Sequence, residues 1–309
     1  MDAVAVIGTG LIGRAWAVVF ARAGFAVRLW DPDQDAVSAA RDFVAARLPE
    51  LHASGLLAEA PEQVLARVAA APSLEVALED AVWAQESGPE KLATKCRLFE
   101  TLDTVAAKTT ILASSSSGIP VSAFTETLRG RQRCLVAHPA NPPYLAPVVE
   151  LCPSLWTATS VRAEARGFMQ RAGMVPVELH GEVPGLVLNR LQIALVAEAL
   201  RLVADGVISP QDLDETVKHG LGLRWSFMGP FETIDLNAPG GLADYCARNR
   251  ALYEAVQRTM TPCYLTPELV ATIADARRKS LPLEDQPARQ EWRDRRLMAL
   301  LAHQATQPG

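Results

Sequence analysis

AVAVIGTGLIG, residues 3–13, is the stretch of sequence that decides the fold. Its first five residues are small or β-branched and predict a buried strand, and the Gly-x-Gly-x-x-Gly turn that follows leads into an apolar helical pattern. In such a turn Gly8 makes the tight bend, Gly10 lets the backbone approach a pyrophosphate, and Gly13 lets the helix pack close to the strand. The first N–H groups of the helix then face the anion. The stretch therefore predicts the first βα turn of a dinucleotide-binding domain.

A second apolar strand, residues 25–30, ends in Asp31, twenty-one residues after Gly10. A carboxylate at this place accepts hydrogen bonds from the two hydroxyls of the adenosine ribose. The same carboxylate repels a 2′-phosphate. We therefore expect NAD as the cofactor rather than NADP.

Length and composition limit the classes of protein to which the chain can belong. The 309 residues suit two domains, and 49% hydrophobic with 21% charged residues is ordinary for a soluble globular chain. A net charge of −5 argues against a nucleic-acid partner, and no apolar run is long enough to cross a membrane. The five cysteines show neither a pairing pattern nor metal-ligand spacing, as expected for reduced thiols. We expect a cytoplasmic protein without a metal site or signal peptide.

The pattern of elements changes near residue 182. Before it, short apolar strands alternate with helical stretches, which predicts a mostly parallel sheet covered on both faces. After it the strands stop, and a long apolar helix from Leu186 opens a wholly helical region. We predict an α/β fold, with a Rossmann-type sheet domain over residues 1–182 and an all-helical domain over residues 183–309. The predicted strands cover residues 3–7, 25–30, 67–70, 81–84, 109–113, 134–137, 148–151 and 174–178.

Two polar turns follow neighbouring strands, at the edge of the sheet where ligands of such folds bind. The first is Ser114–Ser117, which is also compatible with a plain polar turn. The second is the rigid turn His138-Pro139-Ala140-Asn141-Pro142-Pro143.

Glu150 follows His138 by twelve residues and lies inside an apolar strand. Burying a carboxylate is costly without a partner. An imidazole is a natural one, because a carboxylate on one ring nitrogen fixes the tautomer and raises the basicity of the other. The alternative is that Glu150 points to solvent from an edge strand and His138 belongs only to the turn.

Two polar residues in the helical region are further candidates. Asn189 stands one turn into the helix that starts at Leu186, and it either faces the cleft or lies on the helix surface. Arg224 lies in a stretch rich in glycine and aromatic residues, 220–232, where it is either an anion clamp or a surface charge.

Taken together, these motifs resemble the 3-hydroxyacyl-CoA dehydrogenase superfamily over nearly the whole chain. The chain is more similar to its lambda-crystallin branch, whose mammalian members are L-gulonate 3-dehydrogenases, and it is also similar to the carnitine dehydrogenases. Ser115 and Ser116 stand where the acyl-CoA enzymes usually carry Asn-Thr, which favours a free acid over a thioester. The superfamily motifs are residues 114–117, 138–142, 149–150 and 184–190; those of the lambda-crystallin branch are 138–144, 220–224, 229–233 and 236–238, and that of the carnitine dehydrogenases is 224–229.

The resemblance implies an NAD-dependent dehydrogenase that oxidises the 3-hydroxyl of a small 3-hydroxy acid. His138 would be the acid–base residue and Glu150 would orient it, while Ser117 and Asn189 would bind the reacting oxygen. Arg224 would hold the carboxylate of a free acid. Cofactor contacts would come from Gly8, Gly10, Leu11, Ile12, Gly13, Asp31, Glu86, Lys91 and Asn141.

The resemblance also implies a homodimer formed through the helical domain, which looks too small and too apolar to be covered by the sheet domain alone. Other substrates remain open: carnitine or another 3-hydroxy acid, or a short-chain 3-hydroxyacyl-CoA. A binding protein of the lens-crystallin type, which keeps NAD without useful turnover, is the alternative from a different class.

Overall fold

The computed structural model of the protein describes residues 1–307. It divides the chain into two compact units. The first contains Met1–Arg190 and the segment from Asp294 onward, and the second contains Leu191–Arg293.

The first unit is built on an eight-stranded sheet with the strand order β3-β2-β1-β4-β5-β6-β7-β8. Neighbouring strands are parallel except β6 and β7, which are antiparallel. Every predicted strand is present, and the predicted fold class is confirmed. The strands are β1 (Ala3–Ile7), β2 (Ala26–Trp30), β3 (Val68–Ala70), β4 (Ala81–Glu86), β5 (Ile111–Ser114), β6 (Cys134–Pro139), β7 (Val148–Pro153) and β8 (Val175–Glu178).

Helices cover both faces of this sheet, so the central strands are apolar on both sides. All five residues of β1 are buried: Val4 and Val6 join one core cluster, and Ala5 and Ile7 join the other. This alternation follows from the two-residue period of a strand. The helices of this part are α1 (Leu11–Arg22), α2 (Gln34–Ala53), α3 (Pro61–Leu65), α4 (Leu74–Leu78), α5 (Leu92–Val105), α6 (Val121–Thr125) and α7 (Thr159–Arg171), with a 3-10 turn at Arg131–Arg133.

The rest of the chain is helical. The sequence signals for helix starts hold locally: Ser209 caps the helix at Pro210 by accepting a hydrogen bond from Asp212 N at 3.0 Å. The helices are α8 (Leu186–Ala204), α9 (Pro210–Thr216), α10 (Gly222–Trp225), α11 (Pro230–Asp235), α12 (Gly241–Thr259), α13 (Pro267–Ser280) and α14 (Gln286–Gln304), with a π-helical turn at Val217–Leu221 and a 3-10 turn at Leu283–Asp285.

The second unit buries very little of its own surface. Among residues 191–293 only Thr233 is buried, whereas large apolar side chains such as Phe227 and Phe231 are about 70% exposed or more. Separately, none of the helices within residues 1–307 combines the length and apolar composition that a bilayer crossing requires.

The compact units do not coincide with the predicted division at residue 182. The first unit continues through Arg190, into α8, and it also takes in the end of the chain. The end of α14 belongs to it because Met298 is 1% exposed within the core of the sheet unit, and Asp294 Oδ2 accepts a hydrogen bond from the Tyr144 hydroxyl at 3.2 Å.

Candidate active site

The glycine turn after β1 has the geometry that an anion site needs. Gly8 has a φ of +89°, and a Cβ placed there would lie 2.8 Å from Gly88 N. A Cβ at Gly13 would lie 1.8 Å from the carbonyl oxygen of Gly8. At Gly10, in contrast, a Cβ would meet no protein atom within 4 Å, and the start of α1 at Leu11 carries no side-chain cap. The helix N-terminus is therefore open to an anionic ligand.

A cavity of about 630 Å³ extends from this turn along the end of β2. Trp30, Asp31 and Arg97 contribute to its lining. Backbone N–H groups hold the Asp31 carboxylate in place: Oδ2 accepts from Thr9 N at 2.8 Å, and Oδ1 accepts from Asp33 N at 3.0 Å. A fixed carboxylate beside an open helix N-terminus fits the ribose and pyrophosphate of a dinucleotide.

We expect Asp31 to make the enzyme prefer NAD, with a kcat/KM well over tenfold higher than with NADP. The reason is that like charges about 4 Å apart near a protein surface repel by roughly 4 kcal/mol. Asp31→Asn should bring the kcat/KM values for NAD and NADP closer together. Asp35→Asn, on the exposed first turn of α2, should leave their ratio unchanged. Steady-state kinetics with both cofactors check this, and equal values for the wild type would show that the carboxylate does not select the cofactor.

His138 and Glu150 are cross-strand partners at the carboxyl edge of β6. His138 Nδ1 lies 2.9 Å from Glu150 Oε2, and both side chains are buried. The other carboxylate oxygen, Oε1, accepts hydrogen bonds from Val187 N at 2.7 Å and Leu188 N at 2.9 Å, at the start of α8. Glu150 thus joins the histidine to a helix N-terminus and does not point to solvent.

These contacts keep the Glu150 carboxyl group ionised. Burial alone would raise the pKa of Glu150, but the hydrogen bonds from His138, Leu188 and Val187 outweigh it and hold that pKa below its ordinary value. An ionised carboxylate only accepts hydrogen bonds, so the proton of a neutral imidazole must lie on Nδ1. Nε2 then presents a lone pair, and no hydrogen bond joins it to another residue within 1–307.

The turn into α8 aims its N–H groups at Glu150. Gly185 has a φ of +78° and Leu186 a φ of +53°, so two consecutive residues are left-handed. For a leucine this conformation costs about 1–3 kcal/mol. These two residues stand directly before Val187, whose N–H makes the shorter of the two hydrogen bonds to Glu150. In the sequence, the Pro184-Gly185 pair before the apolar helix is the feature that indicates this turn.

Hydrogen bonds fix the serine loop, which is the segment Ser114–Ser117 at the end of β5. Ser115 Oγ accepts from Trp16 Nε1 at 3.1 Å and from Gln85 Nε2 at 2.8 Å. Ser116 Oγ donates to Glu90 Oε1 at 2.6 Å, and the same oxygen accepts from Ser117 N at 3.1 Å. The Ser117 hydroxyl makes no hydrogen bond to any residue that the structure describes, which leaves it available to a ligand.

Sequence reasoning missed a buried ion pair under this loop. Lys95 and Glu86 are each 1% exposed, with Nζ 2.8 Å from Oε2, and Ser114 Oγ donates to the same oxygen at 2.5 Å. Lys95 Nζ also lies 3.4 Å from Glu90 Oε2. Lys91, the lysine predicted to contact the cofactor, is exposed at the N-cap of α5. Lys95 is the lysine that pairs with Glu86 at the end of β4.

Glu90 holds the loop as an ionised group. Burial would raise its pKa, but hydrogen bonds from Ser116, Gly118 and Ile119, together with the charge of Lys95, lower it below the ordinary value. Glu86, predicted to contact the cofactor, has both carboxylate oxygens engaged by Lys95 and accepts from Gly88 N at 2.7 Å. In this structure its side chain supports the loops around the site.

The side chains of the remaining candidates take no part in these hydrogen-bond networks. Asn189 is half-buried on the first turn of α8, next to the N–H groups that bind Glu150, and Asn141 is exposed in the turn between β6 and β7. Arg224 is exposed on α10, in the second unit. The side chains of these three residues make no hydrogen bond with any residue in 1–307. Ser117 and the turn at Pro184–Leu186 line one cavity.

Comparison with known proteins places the chain in a family. Residues 3–183 match the family model of the 3-hydroxyacyl-CoA dehydrogenase NAD-binding domain, and residues 185–280 match that of the C-terminal domain. A lambda-crystallin homolog of Bos taurus is 42% identical, over 98% of this chain and 97% of that protein. An L-carnitine dehydrogenase of a Pseudomonas species is 35% identical, over 96% of this chain and 92% of that protein.

A solved structure agrees in fold over both chains. It is the NAD⁺-dependent 5-formyl-3-hydroxy-2-methylpyridine 4-carboxylic acid 5-dehydrogenase, which superimposes with a TM-score of 0.86 at 26% identity and 100% coverage of each chain. The match of both family models, together with the open helix N-terminus and the fixed Asp31 carboxylate, agrees with the cofactor expected from the sequence. The chain therefore belongs to the 3-hydroxyacyl-CoA dehydrogenase family and is an NAD-dependent oxidoreductase that acts on 3-hydroxyl groups.

Proposed function

We propose that this enzyme oxidises the 3-hydroxyl of a small free 3-hydroxy acid to the 3-keto acid, with L-gulonate as the first substrate to test. The observation that carries the proposal is the Glu150 carboxylate, which is held by two N–H groups of α8 and accepts from His138 Nδ1 at 2.9 Å. This arrangement leaves a basic ring nitrogen at the edge of the sheet, as removal of a hydroxyl proton requires.

His138 takes the hydroxyl proton on Nε2 and becomes an imidazolium. Glu150 stabilises that cation through Nδ1 and keeps the ring in the productive orientation. The Ser117 hydroxyl and the Asn189 amide are the proposed donors to the reacting oxygen, where negative charge develops. NAD, when bound, supplies the acceptor for the hydride that leaves C3. Both proposed donors are unpaired within residues 1–307, so a ligand needs to displace no protein contact.

Arg224 is the proposed partner of the substrate carboxylate. Its guanidinium is exposed and makes no ion pair with any residue that the structure describes, so its charge is available. A planar guanidinium can hold both oxygens of a carboxylate at once, whereas a thioester carries no charge there. Ser115 stands where the acyl-CoA enzymes usually carry Asn, and its hydroxyl accepts hydrogen bonds from Trp16 and Gln85. This difference is consistent with a substrate that ends in a carboxylate and not in a CoA thioester.

The test is a substrate panel with NADH formation as the readout. L-gulonate, L-carnitine, (S)-3-hydroxybutyrate and (S)-3-hydroxybutyryl-CoA would be compared by kcat/KM. We expect a free acid to be the best substrate. A preference for L-carnitine would show that this enzyme shares its substrate with the carnitine dehydrogenase to which it is similar. A preference for the thioester would overturn the free-acid proposal, and binding of NADH without turnover of any substrate would support the non-catalytic alternative.

We also propose a homodimer in which a second copy covers the second unit. Apart from Thr233, the side chains of residues 191–293 are not buried, and apolar ones such as Leu191, Phe231 and Leu265 are more than 60% exposed. Apolar surface on this scale is typical of an obligate interface. We expect light scattering at micromolar concentration to give twice the mass of the 33.3 kDa chain. A monomer under these conditions would contradict the assembly.

The proposed location is the cytoplasm. The five cysteines, Cys96, Cys134, Cys152, Cys246 and Cys263, are all free thiols in the structure. Free thiols without a pairing pattern are typical of a reducing compartment. Recovery of the protein from a membrane or extracytoplasmic fraction of its own cells would refute this.

A further inference from the structure

A cavity of about 240 Å³ lies between the serine loop and the turn into α8, and the mechanism above places no part of the substrate in it except at Ser117. Its lining includes Ile119, Leu186 and Ser117. It also includes Val136 and Cys152, which are buried residues of the central strands β6 and β7, and we call these two residues its floor. All of these residues belong to the first unit. The cavity is mostly apolar, and it shares Ser117 with the proposed binding site of the reacting oxygen.

Strand register places this cavity next to the His138–Glu150 pair. In the antiparallel β6–β7 ladder, His138 faces Glu150, and two residues deeper Val136 faces Cys152. Directly paired residues share a face of the sheet, and so do residues two apart along a strand. The floor of the cavity is therefore on the same face as the pair, about 7 Å along the strands.

Charge decides which end of a substrate the cavity can take. Glu182 lies on its lining, where Oε1 accepts from Ser122 N at 2.8 Å, and no lysine or arginine lines it. A substrate carboxylate would be repelled there. Burial raises the pKa of the Cys152 thiol to about 12, so the floor is uncharged at neutral pH. The uncharged end of the substrate is the end that fits.

We infer that this cavity is the binding site for the carbon chain beyond C3 of the substrate, and that it holds a chain of about six to eight non-hydrogen atoms. The size follows from about 30 Å³ for each water-sized group. The inference rests on the proposed function. The C4–C6 segment of a six-carbon sugar acid, with its hydroxyls, matches this size, and so does the tail of a medium-chain aliphatic acid. 3-Hydroxybutyrate leaves the cavity nearly empty.

The experiment compares kcat/KM for 3-hydroxybutyrate, 3-hydroxyhexanoate, 3-hydroxyoctanoate and L-gulonate in the wild type and two cysteine variants. We expect each added methylene to raise kcat/KM by about fourfold until the cavity is full. Cys152→Val adds volume to the floor and should lower the ratio of long-chain to short-chain kcat/KM about tenfold. The matched control is Cys134→Val, because Cys134 is equally buried on β6 but does not line the cavity.

Val136→Ala enlarges the same floor and should move the optimum to longer chains, which keeps the inference testable if Cys152→Val does not fold. The inference is supported if L-gulonate, the longer aliphatic acids or both have a higher kcat/KM than 3-hydroxybutyrate in the wild type, and if Cys152→Val removes this advantage. Two results would overturn the cavity assignment and leave the proposed function intact. One is good turnover with the same kcat/KM for every chain length, and the other is an equal effect of Cys152→Val and Cys134→Val on the ratio of long-chain to short-chain kcat/KM. Absence of turnover with every acid would overturn the proposed function itself.

Discussion

His138→Ala is expected to lower kcat by about two or more orders of magnitude, as is usual for the loss of a positioned acid–base group. The variant should still bind NADH with nearly the wild-type Kd, because His138 lies on β6, whereas the proposed cofactor cavity lies at β1, β2 and the segment after β4. The matched control is His180→Ala, which removes an exposed histidine after β8. Stopped-flow turnover and NADH fluorescence titration together provide the measurement.

Glu150→Gln should produce a loss of similar size by a different route. The glutamine carbonyl can still accept from Val187 N and Leu188 N, but its amide group then donates to His138 Nδ1. The ring proton moves to Nε2, and the nitrogen that must act as base is blocked. Near-normal turnover of either His138→Ala or Glu150→Gln would show that this pair is not the acid–base machinery.

Arg224→Met is expected to lower kcat/KM for the best free 3-hydroxy acid by about thirtyfold or more, and to change that for an acyl-CoA little. Loss of a charge-assisted pair costs roughly 2–5 kcal/mol, and every 1.4 kcal/mol is a factor of about ten. A thioester has no carboxylate at this position, so it has nothing to lose. The measurement is kcat/KM for the acid and the thioester with each variant.

Two controls separate the clamp from a general charge effect. Arg224→Lys keeps the charge but loses the planar fork, and we expect it to recover only part of the activity. Arg250→Met removes another exposed arginine of the second unit, on α12, and should leave the kinetics unchanged. If Arg224→Met loses nothing on the acid, Arg224 is a solvated surface residue and the free-acid proposal loses its cation.

The sheet could be predicted from the sequence because each strand carries a local signal. A strand such as β1 is buried on both faces, so it reads as an unbroken apolar run between turn residues. The antiparallel pairing of β6 and β7 has no such signal. It depends on the turn from Ala140 to Pro147, and it is this pairing that brings His138 opposite Glu150.

The position of the candidate site was predictable where a turn carries a distinctive local sequence, as at Gly8 and His138. It was not predictable where the contacts are long-range. Lys95 shares the spacing of Phe99 and Leu102 on the buried face of α5, which was a usable signal, but a lysine at an apolar position gives no hint of its partner. Glu86 and Glu90 become that partner set only when α5 packs against the end of β4.

The extent of the first unit is another long-range property. Asp294 lies 150 residues after Tyr144, and their hydrogen bond has no counterpart in any local pattern. Met298 reads as one apolar position of a charged amphipathic helix, yet it is buried in the core of the sheet unit. Helix periodicity predicts that α14 has an apolar face, but it does not predict which surface that face covers.

One comparison tests the central claim, oxidation at C3 of a free 3-hydroxy acid, most directly. The pair is (S)-3-hydroxybutyrate and (S)-3-hydroxybutyryl-CoA, which share the reacting carbon and differ only in whether C1 is a carboxylate or a thioester. NADH formation with the wild-type enzyme gives kcat/KM for both. We expect the free acid to be preferred, and the preference to disappear in Arg224→Met. A wild-type enzyme that oxidises the thioester faster than the acid would contradict the account.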